Sequence, residues 1–157
     1  MAKRKFKAKP FKNWLDILAK VCVKTDANFT CEIRREGCAG RMMPLDKNCQ
    51  WCHIKSRSSN TYRWLRTNAL CGCGHCHQWA HANPDAFGAW FAEEHLGDYL
   101  FLNFPMHPYT WREDDFKKEE RRLLLYAAEL NVDPLNVPVS YRTRFMRAME
   151  ALMKDPE

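Results

Sequence analysis

Four stretches of the chain carry apolar residues at helical spacing. In the first, Trp14, Leu15, Leu18, Val21 and Cys22 fall on one face. Asn13 can cap that helix, Asp16 sits in its first turn where the dipole favours an anion, and Asp26-Ala27-Asn28 reads as the turn that ends it near Thr25. A second helix opens with Asn83 as cap and Pro84 at its first position, presents Phe87, Trp90 and Phe91, and is expected to stop at Gly97. Residues 99–109 are apolar but proline-bearing and read as an irregular wrap. Thr110 and Glu113 form a capping-box pair for a third helix, which ends near Asn131. The fourth, from Ser140, shows Tyr141, Phe145, Met149 and Leu152 on one side. The last two make a helical hairpin that would cover the core or pair two copies of the chain into a homodimer.

From Phe29 the helical pattern gives way to FTCEIRREGCAGRMMPL, with Cys31, Cys38 and a glycine turn. The chain has 157 residues, 46% hydrophobic and 13% aromatic, enough to bury a core without disulfides. No apolar run approaches the roughly 20 residues that span a bilayer, and the expected setting is the cytoplasm, with no membrane partner. In that reducing compartment eight cysteines point to metal before disulfides.

Net charge is +6, and its placement matters more than its size. Lys3, Arg4, Lys5, Lys7, Lys9 and Lys12 load the first dozen residues with no acidic partner, a flexible arm suited to a polyanion. Phe6 and Phe11 interleave with them, as base or groove contacts would. A second cationic stretch, without acidic residues from Cys49 through Asn83, holds Lys55, Arg57, Arg63 and Arg66. Arg57 above all, then Arg63, Lys55 and Arg66, are candidate phosphate contacts.

The chemistry concentrates between Cys52 and His81, which hold four of the eight cysteines and four of the six histidines. Cys73-x-x-Cys76 together with Cys31 and Cys38 supplies four thiolates, the closed tetrahedral set of a structural zinc. Cys71 is a rival for one place, Cys22 and Cys49 read as core thiols, and His95 and His107 as bystanders. His77 and His81, four apart, share one face of a helix and can share one divalent ion. A neutral imidazole at His53 can take a proton from water near neutral pH. The amide of Asn68 can bridge two backbone segments or fix the tautomer of His53.

The order His53, Asn68, then Cys73-x-x-Cys76-His77 and His81 resembles the HNH endonucleases of the phage and prophage zinc-knuckle type. It is more loosely similar to the NinG (Rap) recombination nucleases, through the run His53-Ile54-Lys55-Ser56-Arg57 ahead of a cysteine pair. The resemblance covers about Phe29 to Pro84. It implies an α+β fold, a zinc-stabilised ββα-metal core flanked by helices. It also implies a DNA endonuclease in which His53 is the general base, Asn68 holds the hairpin, and His77 and His81 ligate Mg²⁺, Mn²⁺ or Zn²⁺. Its substrate would be duplex or branched DNA, in recombination or other phage DNA processing. The place before the base histidine commonly supplies a further metal ligand; here it is Cys52, either that ligand, favouring zinc, or a buried thiol, with waters, a DNA phosphate or a carboxylate such as Asp46 in its stead. The division expected is 1–12 arm, 13–109 nuclease core with the N-terminal helix, and 110–157 helical hairpin. Two other functions fit: a zinc-finger DNA-binding module without catalysis, and a nuclease on structured RNA.

Overall fold

The computed structural model describes residues 6–38, 40, 49–104 and 109–154. The fold is α+β and mostly helical. Its elements are α1 (Ala8–Asp26), β1 (Cys49–His53), the single turn α2 (Asn60–Arg63), β2 (Ala69–Cys73), α3 (Gly74–Ala82), α4 (Pro84–Glu94), α5 (Leu96–Asn103), α6 (Glu113–Glu129) and α7 (Val139–Lys154). No helix among the described residues is long and apolar enough to cross a membrane. The chain divides into two compact units, Met1–Cys22 with Thr110–Glu157, and Val23–Tyr109. One boundary lies between Tyr109 and Thr110. The N-terminal helix does not follow expectation, because up to Cys22 it belongs with the C-terminal helices.

In that helical unit Trp14, Leu15, Leu18, Phe116, Leu123 and Phe145 are buried. The Trp14 indole N–H donates to Glu120, Tyr141 stacks on the ring at 6.0 Å, and the Arg144 guanidinium lies 4.5 Å from its centre. Helix α1 starts at Ala8 rather than after Asn13, since Pro10 is tolerated in a first turn. The tail expected to be flexible is therefore helical from Ala8. Phe6 and Phe11 are spent on packing, 5.5 and 6.2 Å from the Phe116 ring, and not on a nucleic acid. Lys3, Arg4 and Lys5 lie outside the described residues, as do Asp46 and His107. Helix α6 is capped two residues later than Thr110 predicts: the Asp115 carboxylate accepts from the Arg112 N–H at 2.7 Å. Beyond its end Asn131 takes the left-handed conformation (φ 50°) common after helix C-termini.

In the second unit β1 and β2 form an antiparallel pair with Cys49 opposite Cys73, Trp51 opposite Cys71 and His53 opposite Ala69. Side chains alternate across a strand, so Cys49, Trp51, His53 and Cys71 share one face while Cys52 and Leu70 share the other. Asn28 and Phe29, at φ 48° and 53°, reverse the chain after α1 and deliver Cys31 beside β2, where the Glu32 N–H donates to the Cys71 carbonyl at 2.8 Å. Helix α3 begins directly after Cys73 and packs on both strands. Gly97 does not stop α4. The backbone breaks at His95, whose ring stacks on Phe91 at 5.1 Å, and α5 resumes at once through Gly97, where an irregular segment was expected.

Candidate functional site

Cys31, Cys38, Cys73 and Cys76 come together as the spacing predicts: their sulfurs all lie within 4.8 Å of one another. Four sulfurs about 2.3 Å from a tetrahedral zinc stand about 3.8 Å apart. The Cys38 and Cys73 sulfurs are separated by 3.7 Å. Backbone N–H groups are aimed at the sulfurs, from Cys73 to Cys31 at 3.3 Å, Gly40 to Cys38 at 3.2 Å and Cys76 to Cys73 at 3.5 Å. Burial alone would raise the Cys73 thiol, but the Cys76 N–H and the contacts from Cys76, Cys38 and Cys31 outweigh it and bring it below its ordinary value. Burial pushes Cys38 and Cys76 the other way. Four sulfurs this close together can hold a structural metal such as zinc.

Cys71 does not compete for that set. It meets Cys49 instead, sulfur to sulfur at 2.7 Å. Cys52 is also a core thiol, 1% exposed, and burial followed by the neighbouring Cys31, Cys49 and Cys73 drives its pKa far upward. Strand alternation turns it to the face opposite His53, where a Cβ on Gly72 would come within 2.6 Å of its sulfur. Among the described residues the cysteine quartet is the one cluster of three or more metal-ligating groups, so Cys52 does not join His77 and His81.

His53 ends β1, and its Nε2 lies 3.1 Å from the Arg63 carbonyl oxygen. A carbonyl only accepts, so the neutral ring carries its proton on Nε2 and its lone pair on Nδ1. Trp51 packs edge-on against the ring at 4.1 Å. Asn68, fully buried just before β2, does not set this tautomer: its amide holds the loop instead. Its Oδ1 accepts from the Lys55 N–H at 2.6 Å, and its Nδ2 donates to the Lys55 and Tyr62 carbonyls at 3.2 and 3.0 Å. The Ile54 N–H adds a bond to the Asn68 carbonyl at 3.0 Å. One side chain thus ties both ends of the segment that leaves His53 and returns past Arg63.

On α3, His77 and His81 bring their Nε2 atoms to 2.9 Å. That is the distance of a hydrogen bond from one ring to the other, and two nitrogens about 2.05 Å from a tetrahedral zinc would stand about 3.3 Å apart, so the pair would open slightly to share an ion. Burial, then the His81 ring and the Arg57 guanidinium, lower the His77 pKa below its ordinary value and favour the neutral, ligating form. The Arg57 charge is near enough to His77 to take part in that lowering.

The cationic residues divide. Arg57 is exposed, and the Lys55 ammonium donates to the Asn103 side-chain Oδ1 at 2.8 Å. Arg63 braces the loop, donating to the Arg57 carbonyl at 2.9 Å. Arg66 is engaged within the fold and is not a phosphate contact: it pairs with Asp26 at 2.5 Å and Glu32 at 2.6 Å and donates to the Ala69 carbonyl at 2.6 Å. Glu32, which also accepts from the Cys71 N–H at 2.6 Å, escaped the sequence reading. Its only signal was a lone carboxylate between a zinc ligand and Arg34-Arg35. No family model, curated protein or solved structure matches the chain.

Proposed function

We propose that the chain is a metal-dependent endonuclease of the HNH type, hydrolysing phosphodiester bonds in DNA. The observation that carries this reading is the pairing of a fixed His53 tautomer with the Asn68 clamp on one hairpin, followed at once by a helix bearing two convergent imidazoles. In this reading His53 Nδ1 takes the proton of a water as its oxygen attacks phosphorus and the 3′ oxygen departs. Arg57 and Lys55 neutralise the phosphates flanking the scissile bond. His77 and His81 would hold a divalent ion, which would supply positive charge to the departing oxygen. By resemblance the products carry 5′-phosphate and 3′-hydroxyl ends.

A second reading is a DNA-binding module whose zinc is purely structural. It is favoured by one fact, that the histidine pair has no third ligand beside it among the described residues. Purified protein incubated with plasmid, branched DNA and structured RNA, in Mg²⁺, Mn²⁺ or EDTA, separates the two. Cleavage that EDTA stops is expected, and binding without cleavage under any ion sinks the nuclease. His53→Ala should slow cleavage by roughly two to four orders of magnitude with DNA affinity nearly unchanged. His77→Ala should also stop it, but with partial rescue by excess metal.

A further inference from the structure

We propose that Cys49 and Cys71 form a redox-active pair, separate from the zinc quartet, which closes to a disulfide and locks the β1–β2 hairpin. The register puts both residues on one face of the hairpin, one step apart along the diagonal, and both are at most 1% exposed. Their sulfurs, 2.7 Å apart, are closer than the roughly 3.8 Å kept by two thiolates on one zinc, so this spacing is not that of a shared ion. A merely space-filling pair of thiols has no reason to meet sulfur to sulfur. Cys71 is held in position from behind, by its N–H on Glu32 and by Glu32 on Arg66. Neither thiol belongs to the quartet, yet Cys49 lies directly opposite the zinc-side Cys73.

The reaction needs a two-electron oxidant, a hydroperoxide. One thiol attacks the peroxide oxygen, giving a sulfenic acid and releasing water when the peroxide is hydrogen peroxide. The second thiol attacks that sulfenic sulfur, forming the S–S bond and expelling hydroxide, which leaves as water with the second thiol's proton. The two cysteines are oxidised, one peroxide is reduced, and two waters are formed. Because both sulfurs are buried, closure is slow in the intact protein. Once made, the bridge holds the strands in register without help from the metal.

The test treats zinc-loaded, full-length protein with hydrogen peroxide, then denatures it in acid, removes the metal, alkylates free thiols and weighs the product. The expected mass carries two fewer alkyl groups than the reduced control. Peptide mapping should join the peptide with Cys49 to the peptide with Cys71, and the zinc content should be unchanged. Cys49→Ser and Cys71→Ser should each abolish the bridge, whereas Cys52→Ser should retain it. Oxidised protein should also keep its hairpin amide signals after the zinc is chelated, which reduced protein should lose. The proposal is overturned if every thiol is still alkylated after peroxide treatment prolonged well beyond the time that fully oxidises a control dithiol peptide. It is equally overturned if the bridges map within Cys31, Cys38, Cys73 and Cys76 and zinc is released. Mapping in the unsubstituted protein decides the matter even if a serine variant fails to fold.

Discussion

The helical unit and the hairpin unit solve the same problem with different materials. Around Trp14 and Phe145 large apolar side chains from α1, α6 and α7 exclude water, and polar groups serve as trim. Around β2 six small cysteines, Cys31, Cys49, Cys52, Cys71, Cys73 and Cys76, share the interior with Ile33, Leu70, Phe87, Phe91 and Leu102, and Asn68 is fully enclosed nearby. The cysteine side of that core buries less apolar area, at about 25 cal/mol per Å², than bulky side chains in the same places would. It needs specific bonds: four sulfurs on a cation, an amide with three partners, and a guanidinium between two carboxylates. The first unit should therefore be most sensitive to loss of bulk, and the cysteine side of the second to loss of a named contact.

The sharpest way to break this contrast is to remove the metal. Structural zinc sites are worth on the order of 10 kcal/mol to small folds, so Cys73→Ser or a strong chelator should collapse the hairpin and α3. Metal analysis of protein purified without added zinc should return about one equivalent, and the variant none. The amide signals of α6 and α7 should survive in either case. A metal-free protein with an intact hairpin would show that the thiols are ordinary core residues.

The complementary cut is Phe145→Ala. Emptying that volume should cost roughly 3–5 kcal/mol, read as a shift of the denaturation midpoint for the helical signals. Zinc content should stay at one equivalent. Zinc release in step with the lost helices would mean that the two units melt together, and the contrast would reduce to composition.

Asn68→Ala falls between these. It strips the Lys55 N–H and the Lys55 and Tyr62 carbonyls of their partner, and each buried polar group left unpaired costs about 1–3 kcal/mol. The loop after His53 should loosen, visible as faster amide exchange at Lys55. Cleavage, if the protein cuts DNA, should fall through misplacement of the base. Unaltered exchange at Lys55 would make the amide ornamental.

What could be read in the sequence follows from the same difference. Helical faces announce themselves by period, and Trp14 to Cys22, Phe87 to Phe91 and Tyr141 to Leu152 were visible because apolar bulk repeats. Cys31, Cys38, Cys73 and Cys76 were visible because two cysteine pairs supply the four sulfurs of a tetrahedral metal site. Arg66 and Glu32 were not, since an ion pair between residues 34 positions apart leaves no local mark. Phe6 and Phe11 were misread for a similar reason: aromatics between lysines look alike whether they await a base or Phe116. Cys52 sat beside His53 in the chain, and only strand alternation turns neighbours in sequence into residues on opposite faces.

The smallest effect, and the one that probes the cationic loop most directly, concerns His77. Its pKa lies below the ordinary 6.5 because the ring is partly buried and because His81 and Arg57 stand near it. The unfolded chain, lacking those influences, takes up the proton at higher pH. Through the window just below 6.5 the unfolded state thus binds more protons, and stability falls as the solution is acidified. Above that window the ring is neutral in both states and contributes no slope. Arg57→Ala removes one of the causes, so the His77 titration, followed by the ring proton signals of zinc-loaded protein without other added metal, should move toward its ordinary value. The acid loss of stability should shrink with it. The shift should weaken as salt is added to the unsubstituted protein, since screening reaches an exposed guanidinium. If the His77 midpoint is indifferent to both Arg57→Ala and salt, Arg57 does not approach the histidine pair, and its place beside the candidate site is lost.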